Sequence, residues 1–209
     1  MQCPVCGMSY GVSHNCSGLA PILPAEKAPP VPRGIAPIYY LHLAFNIVRW
    51  DDLAIRSASG DPQALPYGVV FSMMSAAIIF LVTALPGMRA RQGANAGTIF
   101  WGLLLGLVFV WVYTGAIAFI QSGLCHLIAR WFLGATGTFF GVVRPLLLGW
   151  FVNCLILIPV VGALASAMAW TAVLMRVSEE VDGISRLEAF LVSAGINAIF
   201  LILLYTLPH

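Results

Sequence analysis

Residues 145–175 read PLLLGWFVNCLILIPVVGALASAMAWTAVLM, a run without one charged side chain, and the number of times it crosses a membrane decides the architecture. About 20 apolar residues span the ~30 Å hydrocarbon core as a helix, and lipid offers the backbone no hydrogen-bond partner, so crossing segments must be helical. This run is long for one such helix and short for two. Pro159 and Gly162 stand at its middle and mark a tight turn. A turn there gives the chain five spans; a single kinked helix gives four.

Three more uncharged runs surround it, over residues 62–88, 92–129 and 189–209. The first supplies a span over 67–85, closed by Pro86-Gly87 and followed by Arg89 and Arg91. The second is too long for one crossing and divides naturally. Residues 98–120 cross, and after Gln121-Ser122-Gly123 the residues Leu124, Leu127, Ile128, Trp131 and Phe132 keep helical spacing as an interfacial extension, broken by Gly134 and Gly137. Arginine placement then chooses between the two counts. With five spans, Arg49, Arg56, Arg130, Arg144, Arg176 and Arg186 share one side and only Arg89 and Arg91 lie on the other. With four spans the same residues divide evenly. Basic residues are retained on the cytoplasmic side, so five spans are expected, the N-terminus cytoplasmic and the C-terminus opposite, with Arg144 and Arg176 snorkelling to the interface.

Composition agrees with this placement. The chain is 60% hydrophobic and 9% charged with a mean hydropathy of +0.94, where a soluble domain would carry about 25% charged residues. So few charges cannot cover a water-facing globule. The first apolar run begins too late for a cleaved secretory signal, so insertion by the first span is expected.

The N-terminal third has a different character. Cys3 and Cys6 form a Cys-Pro-x-Cys-Gly turn, and His14 and Cys16 follow within ten residues. Such a turn aims two thiolates at one metal, so residues 1–18 are expected to form a small knuckle holding a structural zinc through Cys3, Cys6, His14 and Cys16. The His-x-Cys spacing makes His14 the weakest of the four. Free thiols and a redox pair are competing readings; haem attachment is excluded, because Gly7 stands where the histidine would be. Cys125 and Cys154, in or beside apolar runs, read as packing residues. Residues 19–37 contain Pro21, Pro24, Pro29, Pro30, Pro32 and Pro37, a linker kept extended at about 3.1 Å per residue. Residues 38–61 mix Tyr39, Tyr40, Phe45 and Trp50 with Arg49, Asp51, Asp52 and Arg56, which suits a helix in the headgroup layer or one packed on its own protein. Residues 62–209 form the membrane domain.

Within that domain, His126-Leu127 leads into Gly134-Ala135-Thr136-Gly137-Thr138-Phe139, Pro145-Leu146-Leu147-Leu148 opens a span, Pro159-Val160-Val161-Gly162 makes the hairpin, and Ser178-Glu179-Glu180-Val181-Asp182-Gly183-Ile184-Ser185 precedes Leu187-Glu188-Ala189. On these segments the chain resembles the Yip domain family, five-span membrane proteins named for interaction with Ypt/Rab GTPases, and the cysteine knuckle is similar to that of some bacterial members. The resemblance implies an all-α, five-span integral membrane bundle. It implies no reaction. The Asp-Leu-Tyr-Gly-Pro stretch of the trafficking members is replaced by Ser59-Gly60-Asp61-Pro62-Gln63-Ala64.

No span carries a charge at its middle, which argues against catalysis and ion-coupled transport. Ser122 and His126 stand four apart without an evident acid. Asn153, Asn197, Ser166 and Thr171 either line a polar path or bond between helices. Gly102 with Gly106, and Ala165 with Ala169, are small pairs at which helices can approach. Glu179, Glu180, Asp182 and Arg186 form the densest charge cluster, read as a solvated loop or as a docking surface for a partner. The functional expectation is a non-enzymatic membrane organiser, adaptor or accessory subunit, in contact with lipids and with other membrane or cytoplasmic proteins, open to homo- or hetero-oligomer formation and without nucleic acid. A lipid- or solute-handling channel or scramblase is the alternative.

Overall fold

The computed structural model describes residues 36–90 and 95–206. The expected knuckle, and all of the proline-rich linker but its last two residues, lie outside these. Among the described residues every regular element is helical: α1 (Ala36–Val48), α2 (Asp52–Gly60), α3 (Ala64–Ala90), α4 (Ala96–Phe132), α5 (Phe139–Gly149) running into a 3-10 segment (Trp150–Leu157), α6 (Gly162–Val177) running into a π-wound segment (Ser178–Asp182), and α7 (Arg186–Thr206). Three stretches among the described residues are long and apolar enough to cross a membrane, Ala64–Ala84, Gly97–Phe132 and Phe139–Leu157.

The run over 145–175 does turn in its middle. Gly162 N–H donates to the Ile158 carbonyl at 2.9 Å and Val161 N–H to that of Pro159 at 2.8 Å. Glycine is needed there, because a Cβ at Gly162 would sit 2.6 Å from the carbonyl oxygens of both Leu155 and Ile156. The first arm of the turn is lengthened by its winding. An α-helix rises about 1.5 Å per residue and a 3-10 helix about 2.0 Å, so the 19 residues Phe139–Leu157 cover roughly 32 Å.

That first arm of the hairpin is the centre of the bundle. Val142, Val143, Leu146, Leu147 and Leu148 of α5 are buried among α1, α2, α3, α4 and α6. The tightest approach is to α3, where a Cβ on Gly68 would lie 2.8 Å from the Leu147 Cβ. Residues 38–61 form two helices. Tyr40, Leu43, Ala44 and Ile47, spaced at three and four, give α1 a buried stripe that meets α5, and Ile47 reaches Gly149. A corner with Trp50 at φ 65° separates α1 from α2, whose first turn is capped by the Asp51 carboxylate accepting from Leu53 N–H at 2.9 Å and Ala54 N–H at 3.3 Å. The other face leaves Ile38, Leu41, Phe45 and Leu53 exposed.

One element boundary differs from expectation, and the helical extension of the second span is present. Helix α3 continues past Pro86-Gly87 to Ala90, since an internal proline removes one hydrogen bond without having to end a helix. Helix α4 runs unbroken through Gln121-Ser122-Gly123. The polar side chains there are occupied, Ser122 donating to the Ala118 carbonyl of its own helix and Gln121 accepting from Trp170 of α6. Of the small-residue pairs, Gly106 lies against the Phe80 ring of α3 and Ala169 against the main core, while Gly102 has open space around it and Ala165 is half-buried.

Candidate functional site

The last three turns of α4 bury Gln121, Ser122, Cys125, His126 and Ala129, a spacing that places all five on one face. The helix then stops. Gly134 adopts φ 70°, and Ala135 N–H returns to the Ala129 carbonyl at 3.1 Å. The chain crosses through Thr136 and Gly137 to Thr138, whose hydroxyl caps α5 by accepting from Gly141 N–H at 3.1 Å.

A second segment arrives from α6. Its buried stripe through Trp170, Leu174 and Ser178 continues at a spacing of four to Asp182, carried there by the π-wound turn. Gly183, at φ 70°, ends that turn. Ser185 and Glu188 then start α7 with a reciprocal box, Ser185 N–H donating to the Glu188 carboxylate at 2.9 Å and Glu188 N–H to the Ser185 hydroxyl at 3.4 Å.

Where the two segments meet, His126 Nδ1 lies 2.8 Å from Asp182 Oδ1, with the histidine 8% and the aspartate 1% exposed. Thr136 N–H donates to the Asp182 carbonyl at 3.2 Å. The close fit depends on Gly137, where a Cβ would lie 2.6 Å from Asp182 Oδ1. Burial raises the Asp182 pKa above the ordinary carboxylate range, and the hydrogen bond and charge of His126 offset only part of that rise. Asp182 Oδ2 and the hydroxyls of Ser178 and Ser193 are buried without a hydrogen-bond partner among the described residues. The pair thus ties the end of α4 to the connection between α6 and α7, and one proton decides whether it is ionic.

Asp182 was expected on a solvated or docking surface together with Glu179, Glu180 and Arg186. The structure withdraws it, because the π turn rotates its side chain into the bundle, and it is also the acid that His126 lacked in the sequence. The remaining charges are linked to one another. Arg56 pairs with Glu180 at 2.7 Å, Arg176 with both Glu179 and Asp52, and Arg186 Nε with Glu179 at 3.2 Å. Arg144 donates to the Ser59 carbonyl in the last turn of α2 at 2.7 Å.

The four uncharged polar residues form two pairs. Ser166 donates to Asn153 Oδ1 at 3.0 Å, and Asn197 donates to Thr171 Oγ1 at 2.7 Å and to the Ala167 carbonyl at 3.1 Å. Ser166 and Thr171 point about 140° apart around α6 at ~100° per residue. Cys125 is buried and Cys154 half-buried, as packing residues would be. Among the described residues no group of three or more His, Cys, Asp and Glu side chains is placed to hold a metal ion; Cys3, Cys6, His14 and Cys16 lie outside them. No protein-family model, no curated protein and no solved structure matches this chain.

Proposed function

We propose that this chain is a non-enzymatic integral membrane organiser or adaptor, or an accessory subunit of a larger membrane complex, of the five-span type that its loop segments resemble. The observation that carries the reading is the pairing of its interior polar groups. His126 with Asp182, Gln121 with Trp170, Asn153 with Ser166 and Asn197 with Thr171 each bond from one element to another, Asp182 Oδ2 alone of this set being left over, and in this reading they brace helices rather than form a line of ligands for a moving ion.

The threading has α3, α4, the two arms of the Pro159–Gly162 hairpin and α7 as spans, with α1 and α2 in the headgroup layer of the cytoplasmic side. Support comes from the charges: Arg56, Arg144, Arg176 and Arg186 all belong to one end of the bundle, held there by Glu180, Ser59, Asp52 and Glu179. The segment before α1 holds zinc through Cys3, Cys6 and Cys16, with His14 as fourth ligand, and recruits partners on the cytoplasmic face, as does the charge cluster of Glu179, Glu180 and Arg186, in which Arg186 is the exposed member at 67% and the two glutamates are mostly covered by their ion pairs.

Removing residues 1–35 tests this, since the described bundle begins at Ala36. The shortened chain is expected to stay inserted and folded, to lose its protein-bound zinc, and to lose one or more proteins that co-purify in mild detergent. An unchanged partner list, with the purified full chain moving lipid or solute across liposomes, would replace the organiser by the channel-like alternative.

A further inference from the structure

Helix α1 is apolar on two opposite sides. At ~100° per residue the stripe of Tyr40, Leu43, Ala44 and Ile47 points at the bundle, and the far side shows Ile38, Leu41 and Phe45, each more than half exposed, with His42 among them.

The contacts of α1 fix the depth of that outer side. Ile47 packs on Gly149, where a Cβ would lie 3.2 Å from Ile47 and 3.0 Å from Val173. Gly149 is five residues inward from Arg144 on α5, and Val173 is three residues inward from Arg176 on α6. At ~1.5 Å per residue the contact therefore lies about 4–8 Å below the two arginines. At the other end of α1, the Tyr40 hydroxyl donates to the Asp61 carboxylate just before α3, and its ring stacks on Tyr67 in the first turn of α3, 4.1 Å between centroids. Interfacial helices bury their apolar side to a similar depth, about 5–10 Å.

The corner after α1 adds a cation and a strained aromatic. Trp50 N–H donates to the Ile47 carbonyl at 2.9 Å and Asp51 N–H to that of Asn46 at 3.0 Å, the bonds of a Schellman turn. Such a turn holds one residue at positive φ, usually glycine; here it is Trp50, at φ 65° with its side chain half exposed. A bulky residue kept there against its backbone preference points to a use outside the fold. Beside it, Arg49 lays its guanidinium over the Phe45 ring, 5.7 Å from the centroid, and so belongs to the same outer side. Arg56, Arg144, Arg176 and Arg186 are each engaged by a carboxylate or a carbonyl, whereas Arg49 has no such partner among the described residues.

We propose that the Arg49-Trp50 corner binds the phosphate of an anionic phospholipid in the cytoplasmic leaflet, with Ile38, Leu41 and Phe45 covered by acyl chains. The inference rests on the membrane placement above and not on the organiser role. Tryptophan favours the interface, and a guanidinium matches a phosphate with two parallel hydrogen bonds. The uncompensated charge of Arg49 selects a headgroup of net negative charge. A soluble partner stops at the headgroups and would leave the part of α1 below Arg144 and Arg176 uncovered.

The test uses the full chain reconstituted in vesicles of equal parts dioleoyl phosphatidylglycerol and dioleoyl phosphatidylcholine. Native mass spectrometry after extraction is expected to show phosphatidylglycerol retained about tenfold over phosphatidylcholine, and Arg49→Gln to bring that ratio near one. Trp50→Gly is expected to raise the thermal unfolding temperature, because it relieves the turn, and yet to lower the lipid ratio; a purely structural tryptophan would not separate the two. No preference in the wild-type chain, or a preference that survives either variant, overturns the proposal. A spin label at Phe45→Cys, in a chain otherwise free of cysteine, is expected to be reached by oxygen and shielded from a water-soluble nickel complex. A label at Leu105→Cys, on the exposed side of α4, is the reference. If the Leu105 site meets water, the membrane placement fails. If the Phe45 site alone meets water, or is shielded from both reagents by protein, only this inference fails.

Discussion

His126 and Asp182 are 56 positions apart, and their contact is worth more broken than made. Truncating His126→Ala leaves a buried carboxyl without its partner, and such losses cost about 3 kcal/mol. Asp182→Asn keeps a hydrogen bond and is expected to cost about 1 kcal/mol. The pH dependence separates them further. Asp182 is held above its ordinary pKa, so the folded chain keeps a proton at pH values where the unfolded chain has lost it. Folding stability therefore falls as pH rises from the ordinary carboxylate range through the raised native value, and levels off above it. Thermal unfolding in detergent across that range is expected to show this fall in the wild-type chain, one that continues to higher pH in His126→Ala and none from this group in Asp182→Asn. In the sequence, His126 showed no acid because the acid came from a cluster that read as solvated. A signal existed in the spacing Trp170, Leu174, Ser178 and Asp182, which extends the buried stripe of α6 into the charged segment. It was masked by Glu179 and Glu180, whose charges dominate the local composition.

At the level of elements, the turn at Pro159–Gly162 was legible because proline and glycine change what the backbone can do wherever they stand. The 3-10 winding of Trp150–Leu157 was not, since hydropathy counts residues and is blind to the rise of each. The extension of α4 past Gln121-Ser122-Gly123 was legible in the spacing of Leu124, Leu127, Ile128, Trp131 and Phe132, whereas the partners that its polar groups find inside the bundle were not. Two substitutions in the hairpin are expected to act in opposite directions. Gly162→Ala pushes a Cβ against two backbone carbonyls and is expected to destabilise by about 1–3 kcal/mol. Val160, a β-branched residue at φ 70° with its side chain fully exposed, is relieved by Val160→Gly, with an expected gain of about 1 kcal/mol. Equilibrium unfolding of both variants in one detergent checks the pair.

Over the whole molecule, apolar helices and a helical fold were readable from composition and from the uncharged runs, because lipid permits so few backbone solutions. How the helices meet was less readable. The two loops beside α5 and α7 that carried the family resemblance come together around His126, and that convergence is a tertiary fact. The functional reading depends on the hairpin being a true double crossing, since only then do Arg49, Arg56, Arg130, Arg144, Arg176 and Arg186 share one side against Arg89 and Arg91. Single cysteines placed at Val161 and at Ser185 in a cysteine-free chain test it, using a membrane-impermeant thiol reagent on sealed vesicles of known orientation. The account expects Ser185→Cys to label from the cytoplasmic side and Val161→Cys only from the other; labelling of both from the same side would contradict it.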